Sequence, residues 1–588
     1  MARVKALKTL FAQLSKRNLM LKEEGGNLQL VGSKKAIDPN FIAEISAHKK
    51  DILHLFRYEK LLAREEEKAY LTASQTLLLQ MNTIDDNLPT AKHLMVWKIT
   101  GEIDPLIWKD ALVHVMSQHD TLRSRFYFED DLGFQLPRDQ PRLKFEIVNN
   151  QADGFENTAV QNRLKQLTQA HFELGQGEVA HAFLQPLNNS GPLKDRESEG
   201  PPSENSKHQN DGFLFVLALA YIAFDASSQA TFTTQLVEAY QALAAGKKTA
   251  HTANPPLQYG DYANWRWFQE LKQISLPWWL SYFDKTMPRV TWPDQQREIE
   301  SASGPCHLIE KTLSSNQWDT LNRVVSASKS SANMVLLSIF AWVVRNQTHC
   351  QHQVIYTSMF NRDHPDLENL IGLFGLVLPI QIKLDANVQG LAFVEQVRSS
   401  LFDVLMHRDT ALDDILKALS EKQISLPNQL FFVTHDESSE MPKADFTIES
   451  LSNIPETTKY DCSMVVHLGN KSAKLGLYVR EECFSRLAAE QFISQYLNIF
   501  DLLHHNIQAP WPVADFASSP EALNQSTAHG ANPATTLTET RSETQPTQLE
   551  SIWYAILADD TIERSTNFLQ QGVTHSKPCG FWMSWKKS

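Results

Sequence analysis

Residues 213–224, FLFVLALAYIAF, form an apolar run without a charge, and Asp225 closes it ahead of the small polar residues that follow. The run is too short to cross a bilayer as a helix, which takes about 20 residues. Its aromatic and β-branched content predicts a strand buried on both faces, as at the centre of a sheet. A carboxylate at the end of such a strand is costly to desolvate unless it is paired. Asp225 is therefore either the first residue of an ordinary turn or part of a reactive site.

A strand covered on both faces needs layers around it, and 588 residues exceed what one core usually supports, so two or more domains are expected. The composition, 42% hydrophobic and 21% charged, is that of a globular protein. A net charge of -13 with no Lys/Arg block excludes nucleic acid as a partner. Cys306, Cys350, Cys462, Cys483 and Cys579 are widely spaced with no CxxC, which predicts a reducing, cytoplasmic setting and no metal site. In the basic N-terminus, Leu7, Leu10, Phe11 and Leu14 recur at helical spacing, which marks an amphipathic helix and not a signal peptide. No membrane segment or membrane partner is predicted.

Residues 1–60 read as one small unit. Apolar residues alternate on both sides of Gly25-Gly26-Asn27, a hairpin signal between Leu19 and Val31. Asp38 and Pro39 open a helix as N-cap and first residue, and FIAEISAHKKDILHLF continues it. The charged stretch EKLLAREEEKA that follows is predicted to be a helical linker. Apolar periodicity then runs from Leu71 to Pro512, broken by 188–212, which is rich in Ser, Pro, Gly and charge and predicts a disordered insertion. The domain reading is 61–245 and 246–512 as two lobes, 513–547 as a low-complexity linker, and 548–588 as a terminal fragment.

Five stretches stand in a telling order: LTASQ (71–75), QHDTLRSRF (118–126), LQYGDYANW (257–265), IGLFGLVLPIQI (371–382) and MHRDTALDDIL (406–416). Together they resemble the condensation domains of nonribosomal peptide synthetases over about three quarters of the chain. The resemblance implies an α/β fold with two chloramphenicol-acetyltransferase-like lobes in a V, the 213–224 strand central in the first. The family joins a carrier-borne acyl thioester to an amine at an HHxxxDG motif. Here AYIAFDA stands in its place: Ala220 and Tyr221 replace the histidines, Asp225 remains, and Ala226 replaces the glycine. Tyrosine, with an ordinary pKa of about 10, is a poor base at neutral pH but can donate a hydrogen bond to an oxyanion. In the tunnel motif Leu376 and Val377 take the place of Asn-Thr, and Gln381 stands where an arginine would pair with the aspartate. That leaves Arg362 as the candidate counter-charge. His119 and His407 read as packing residues, and His435 as exposed or capping.

The flanks carry resemblances of their own. IDPNFIAEISAHKKDILHLF is similar to the docking domain of tubulysin-synthetase-type subunits, which implies that 1–60 takes a docking peptide of an upstream subunit along a hairpin edge. LESIWYAILADDTIERSTNFLQQGVTHS is similar to the start of a peptidyl carrier, with Ser576 at the phosphopantetheine position. The implied partners are upstream and downstream synthetase subunits and their carrier proteins. No cofactor is bound directly, the phosphopantetheine arms being the carriers' own. Two functions follow: a synthetase subunit whose amide-forming condensation site is impaired, or a non-catalytic scaffold for subunit docking or for recruiting a tailoring enzyme. A stand-alone acyltransferase is disfavoured, since it too would need the missing histidine.

Overall fold

The computed structural model describes residues 2–511, except 34–36, 85–89, 188–211, 248–256, 296–303, 385–389, 437–442, 452–456 and a few single positions. The insertion expected at 188–212 (but for Gly212), the linker at 513–547, the fragment at 548–588 and Ser576 lie outside the described residues.

The N-terminal unit comprises α1 (Ala2–Lys16), β1 (Leu19–Glu24), β2 (Asn27–Gly32), α2 (Pro39–Ala47) and α3 (Lys49–Leu55). Leu7, Leu10, Phe11 and Leu14 are all buried, as the spacing predicts. Glu24 pairs with Asn27 across a two-residue turn whose glycines, at φ +58° and +78°, fit a left-handed bend that side chains resist. Asp38 caps α2 by accepting from the Phe41 N–H at 2.8 Å. The single helix expected to follow is two. His48, at φ -102° and ψ 9°, breaks it, and Phe41, Ile45, Ile52 and Leu55 all reach one core.

The first lobe continues with β3 (Ala69–Tyr70), α4 (Ala73–Ile84), β4 (Lys92–Thr100), α5 (Pro105–Gln118), β5 (Ser124–Glu129), β6 (Leu132–Pro137), β7 (Arg142–Ile147), α6 (Thr158–Gln169), β8 (Glu178–Leu187), β9 (Gly212–Ala220) and α7 (Gln229–Ala244). Helix α8 (Tyr259–Lys272) leads to the second lobe: α9 (Leu276–Tyr282), β10 (Gly304–Thr312), α10 (Ser315–Ser328), α11 (Ala332–Thr348), β11 (His352–Phe360), β12 (Gly375–Lys383), α12 (Leu391–Met406), α13 (Leu412–Glu421), β13 (Leu430–Asp436), β14 (Thr447–Ser450), β15 (Thr457–Thr458), β16 (Cys462–Leu468), β17 (Ala473–Arg480) and α14 (Arg486–His505).

The first sheet runs β14-β4-β9-β8-β7, and the second runs β12-β11-β13-β16-β17-β10-β15. β9 holds the middle of the first with all nine residues buried, as the apolar run requires. It ends at Ala220, four residues before the run does, because the chain turns at Tyr221. β14 is second-lobe sequence that joins the first sheet, antiparallel to β4. Pro379 lies in β12, an edge strand, where its missing N–H leaves no ladder bond unmade. The charged stretch after residue 58 is not helical beyond Glu59. Arg64 is drawn instead into a buried pairing with Asp120 and Asp261, which a helix there would not supply. His435 is fully buried in β13, between β11 and β16, and not exposed; the strand's place inside the sheet decides its burial. Among the described residues no single helix is long and apolar enough to cross a membrane.

Candidate functional site at the end of strand β9

Past Ala220 the Tyr221 N–H still donates to the Ala91 carbonyl, just ahead of the neighbouring strand β4, at 2.9 Å. A short 3₁₀ turn covers Tyr221–Ala223, Phe224 and Asp225 are extended, and a second turn, Ala226–Ser228, enters α7. These two bends set the Asp225 carboxylate toward the second lobe. One oxygen accepts from the Ser227 hydroxyl at 2.6 Å, with the Ser228 hydroxyl 3.2 Å away. The other accepts the backbone N–H groups of Phe374 and Gly375, both at 2.7 Å.

Arg362 completes the cluster. Its Nε and Nη2 donate to Ser227 and Ser228, each at 2.9 Å, and Nη1 donates to the carbonyls of Leu367 at 2.5 Å and Leu370 at 2.8 Å. The guanidinium lies 3.9 Å from the centre of the Phe374 ring. Burial lowers its pKa to about 10, against the opposing pull of Asp225, so it remains charged at neutral pH. Asp225 thus has a cation after all, joined to it through two serine hydroxyls. Gln381 cannot serve: it lies six residues along β12 from Gly375, roughly 20 Å at strand rise. Its amide meets the Met287 sulfur at 3.5 Å, and its N–H donates to Tyr282. Leu376 is buried, paired with Met359, and Val377 is opposite Ser358 on β11.

Ala220 and Ala226 are buried and add no polar atom. Tyr221 is 8% exposed, its ring edge-on to His93 with centroids 6.2 Å apart. His93, one strand over on β4, is fully enclosed, and its Nε2 lies 2.6 Å from the Gln229 side-chain oxygen. His119 is likewise enclosed, on Gln235 at 2.7 Å, and burial holds its pKa below the ordinary value. His407 stacks flat on Trp278, centroids 3.9 Å apart. Among the described residues no group of three or more His, Cys, Asp or Glu gathers as metal ligands.

The five sequence stretches converge on α8. Asp261 accepts from the Arg64 N–H at 2.9 Å and its guanidinium at 3.0 Å, while Gln258 accepts from the Asp120 N–H at 3.0 Å. Glu270 accepts from the Ala73 N–H and from Arg266, both at 2.8 Å, and Arg266 donates on to the Arg408 carbonyl. Tyr259 donates to the Leu373 carbonyl at 2.6 Å. It packs so close to Gly372 that a Cβ there would fall 1.9 Å from its ring. The motif residues therefore hold the lobes together around Asp225. Ser227, Ser228 and His93 were not singled out from sequence. The serines carried a faint signal, since Asp with small polar residues two and three positions on is a common local turn; His93 carried none.

The condensation-domain family model matches residues 203–521. Bacitracin synthase 3 of Bacillus licheniformis is 21% identical over 450 residues, 74% of this chain and 6% of the relative. Gramicidin S synthase 2 of Aneurinibacillus migulanus is 23% identical over 328 residues, 54% of this chain and 7% of the relative. The chain thus spans a small part of the length of these relatives. The X-domain from teicoplanin biosynthesis, solved in complex with OxyB, superposes with a TM-score of 0.60 at 18% identity, covering 76% of this chain and 96% of that one. The condensation domain of the monacolin K polyketide synthase MokA gives 0.59 at 14%, covering 76% and 99%. A buried turn clasped between two sheet-and-helix lobes defines a mixed α/β body of the chloramphenicol-acetyltransferase kind. The chain belongs to the condensation-domain family of the nonribosomal peptide synthetases.

Proposed function

We propose that this chain is a non-catalytic condensation-fold scaffold in a nonribosomal peptide assembly line, acting in the cytoplasm. Amide formation by the family requires a C–N bond to form as the thioester C–S bond breaks, with a proton leaving the attacking amine. That proton needs a base at the end of β9, and the side chain there is Tyr221, a poor base at neutral pH. Asp225 is committed to the clasp by its bonds to Ser227, Phe374 and Gly375, and this is the observation that carries the reading. The nearest imidazole described beside Tyr221, that of His93, is enclosed and held by Gln229.

The partners of such a scaffold are upstream and downstream subunits, their carriers with phosphopantetheine arms, and a docking peptide on residues 1–60, whose hairpin pairs with no other strand among the described residues. The teicoplanin X-domain, of like fold, is solved in complex with OxyB, which supports recruitment of a tailoring enzyme as a further role. The test is product yield in the reconstituted pathway with Tyr221→Phe. The scaffold reading expects unchanged yield. A fall of about 10²–10³, the cost of losing one oxyanion donor, with folding intact, would return the chain to the amide-forming enzymes.

A further inference from the structure

Helix α12 is apolar on two sides. Phe393, Val397, Leu401 and Val404 face the core, which is the one apolar stripe that a helix packed on one side needs. Phe402 and Met406, one turn apart, fall outside that stripe and are 44% and 56% exposed. Beside them three rings lie in a row. His407 stacks on Trp278 at 3.9 Å and Trp278 on Tyr282 at 4.5 Å, and all three are only half-buried. Met406 directly precedes His407, so the exposed pair and the ring row form one surface. An exposed apolar surface of Met and aromatic side chains marks a contact site.

The charge on this surface is negative. Glu395 lies two turns before Phe402 on the same side of α12, and Asp403 adjoins Phe402. Both are exposed and form no ion pair among the described residues. Arg398 and Arg408 donate instead to the carbonyls of Ser328 and Leu405. The surface therefore calls for an occupant that is aromatic and basic. Residues 577–588, KPCGFWMSWKKS, have that character: Phe581, Trp582, Met583 and Trp585 fall close together, with Lys577, Lys586 and Lys587 and no acid. They lie outside the described residues. The described structure ends against this same helix, with Trp511 edge-on to Phe393 and the ring centroids 5.9 Å apart. Phe402 is nine residues further along α12, about 13 Å at the helix rise, and residues 512–576 are more than enough chain to cover that.

We infer that residues 577–588 seat on this face of α9 and α12 of their own chain. The aromatic side chains cover Phe402, Met406 and Trp278, and the lysines meet Glu395 and Asp403. Two apolar surfaces that would each stand in water are thereby removed from it together. Tethering favours the chain's own segment over that of a second copy. The inference does not rest on the scaffold reading, because neither surface includes Tyr221 or Asp225.

Cross-linking in the full chain tests it. Cys579 lies within the segment, and Ser399→Cys places a second thiol on the exposed side of α12, between Glu395 and Phe402. In dilute protein a short bis-maleimide should join the two thiols within one chain, read by mass spectrometry of the linked tryptic peptides. Cys579→Ser should abolish that product. Adding Phe402→Asp should lower its yield about tenfold, since a charge replaces a covered phenyl ring, and adding Trp582→Ser together with Trp585→Ser should do the same. Phe402 is exposed, so the melting temperature should not fall with Phe402→Asp. A product found only between two chains would give the surface to a second copy and overturn the inference. So would the absence of any linked product, or a yield that either set of changes leaves intact.

Discussion

The two ends of helix α8 hold the molecule together in different proportions of apolar and polar contact. At its C-terminal end Phe268 and Leu271 are buried inside the N-terminal unit, with the Phe268 ring edge-on to Phe11 and Phe56 at 6.2 and 5.4 Å. At its N-terminal end Tyr259 and Tyr262 pack on Phe374. To that packing is added a buried polar network running from Arg64 and Asp120 through Asp261 and Tyr259 to the loop that Asp225 and Arg362 clasp. Apolar contacts are non-directional and tolerate adjustment. The polar end is not so forgiving, because each buried group relies on a particular partner and is costly when left alone.

Breaking the polar end should therefore cost most. Arg362→Leu removes a buried cation from two serines and two carbonyls, and about 3–5 kcal/mol of stability should go with it, read as a shift in the urea midpoint. A loss under 1 kcal/mol would show that the clasp is incidental. Phe268→Ala attacks the apolar end. Its expected cost is about 3 kcal/mol, the low side for a buried Phe, since the two units can close on the gap. Residues 1–60 should then become the first segment cut in limited proteolysis. Unchanged cutting would mean that the unit does not depend on this contact.

Acid should separate the two ends further. His119, beside Asp120 and facing Gln235, is held by burial below the ordinary pKa of about 6.5. The unfolded chain then binds the proton more readily, so stability is full above that value and is lost as pH falls through it. His119→Gln should flatten the melting-temperature profile below about pH 6.5, and an unchanged slope would exclude His119 as its source. Smallest of all is Lys16→Ala, which breaks an exposed pair between α1 and Glu421 of α13 and should cost under about 1 kcal/mol. A larger loss would mean that charge helps to fix the N-terminal unit.

What could be read from the sequence follows the same division. Helix α1, the hairpin, the Asp38 cap and the buried β9 strand were all legible, because each is a pattern among neighbours in the chain. Arg362 as the partner of Asp225 was legible only as a candidate, since 137 positions separate them and only the fold closes that gap. The same holds for Arg64 on Asp120 and Asp261, which turned an expected helical linker into a fixed strap. His435 was misjudged because its polar neighbours in the chain are not its neighbours in the sheet. The break at His48 answers to a core shared by both helices, which local propensity does not record.

β14 carries a consequence for synthesis of the chain. The edge of β4 is closed by residues 447–450, yet β4 itself ends at Thr100. On the ribosome roughly 350 further residues must emerge before that edge finds its partner, about 17–70 s at 5–20 residues per second. Throughout that interval the nascent first sheet presents an open hydrogen-bonding row beside a wholly apolar central strand. A late-made strand thus acts as the lid on what was made first, and slow translation or truncation upstream of 447 should favour association between unfinished chains over productive folding.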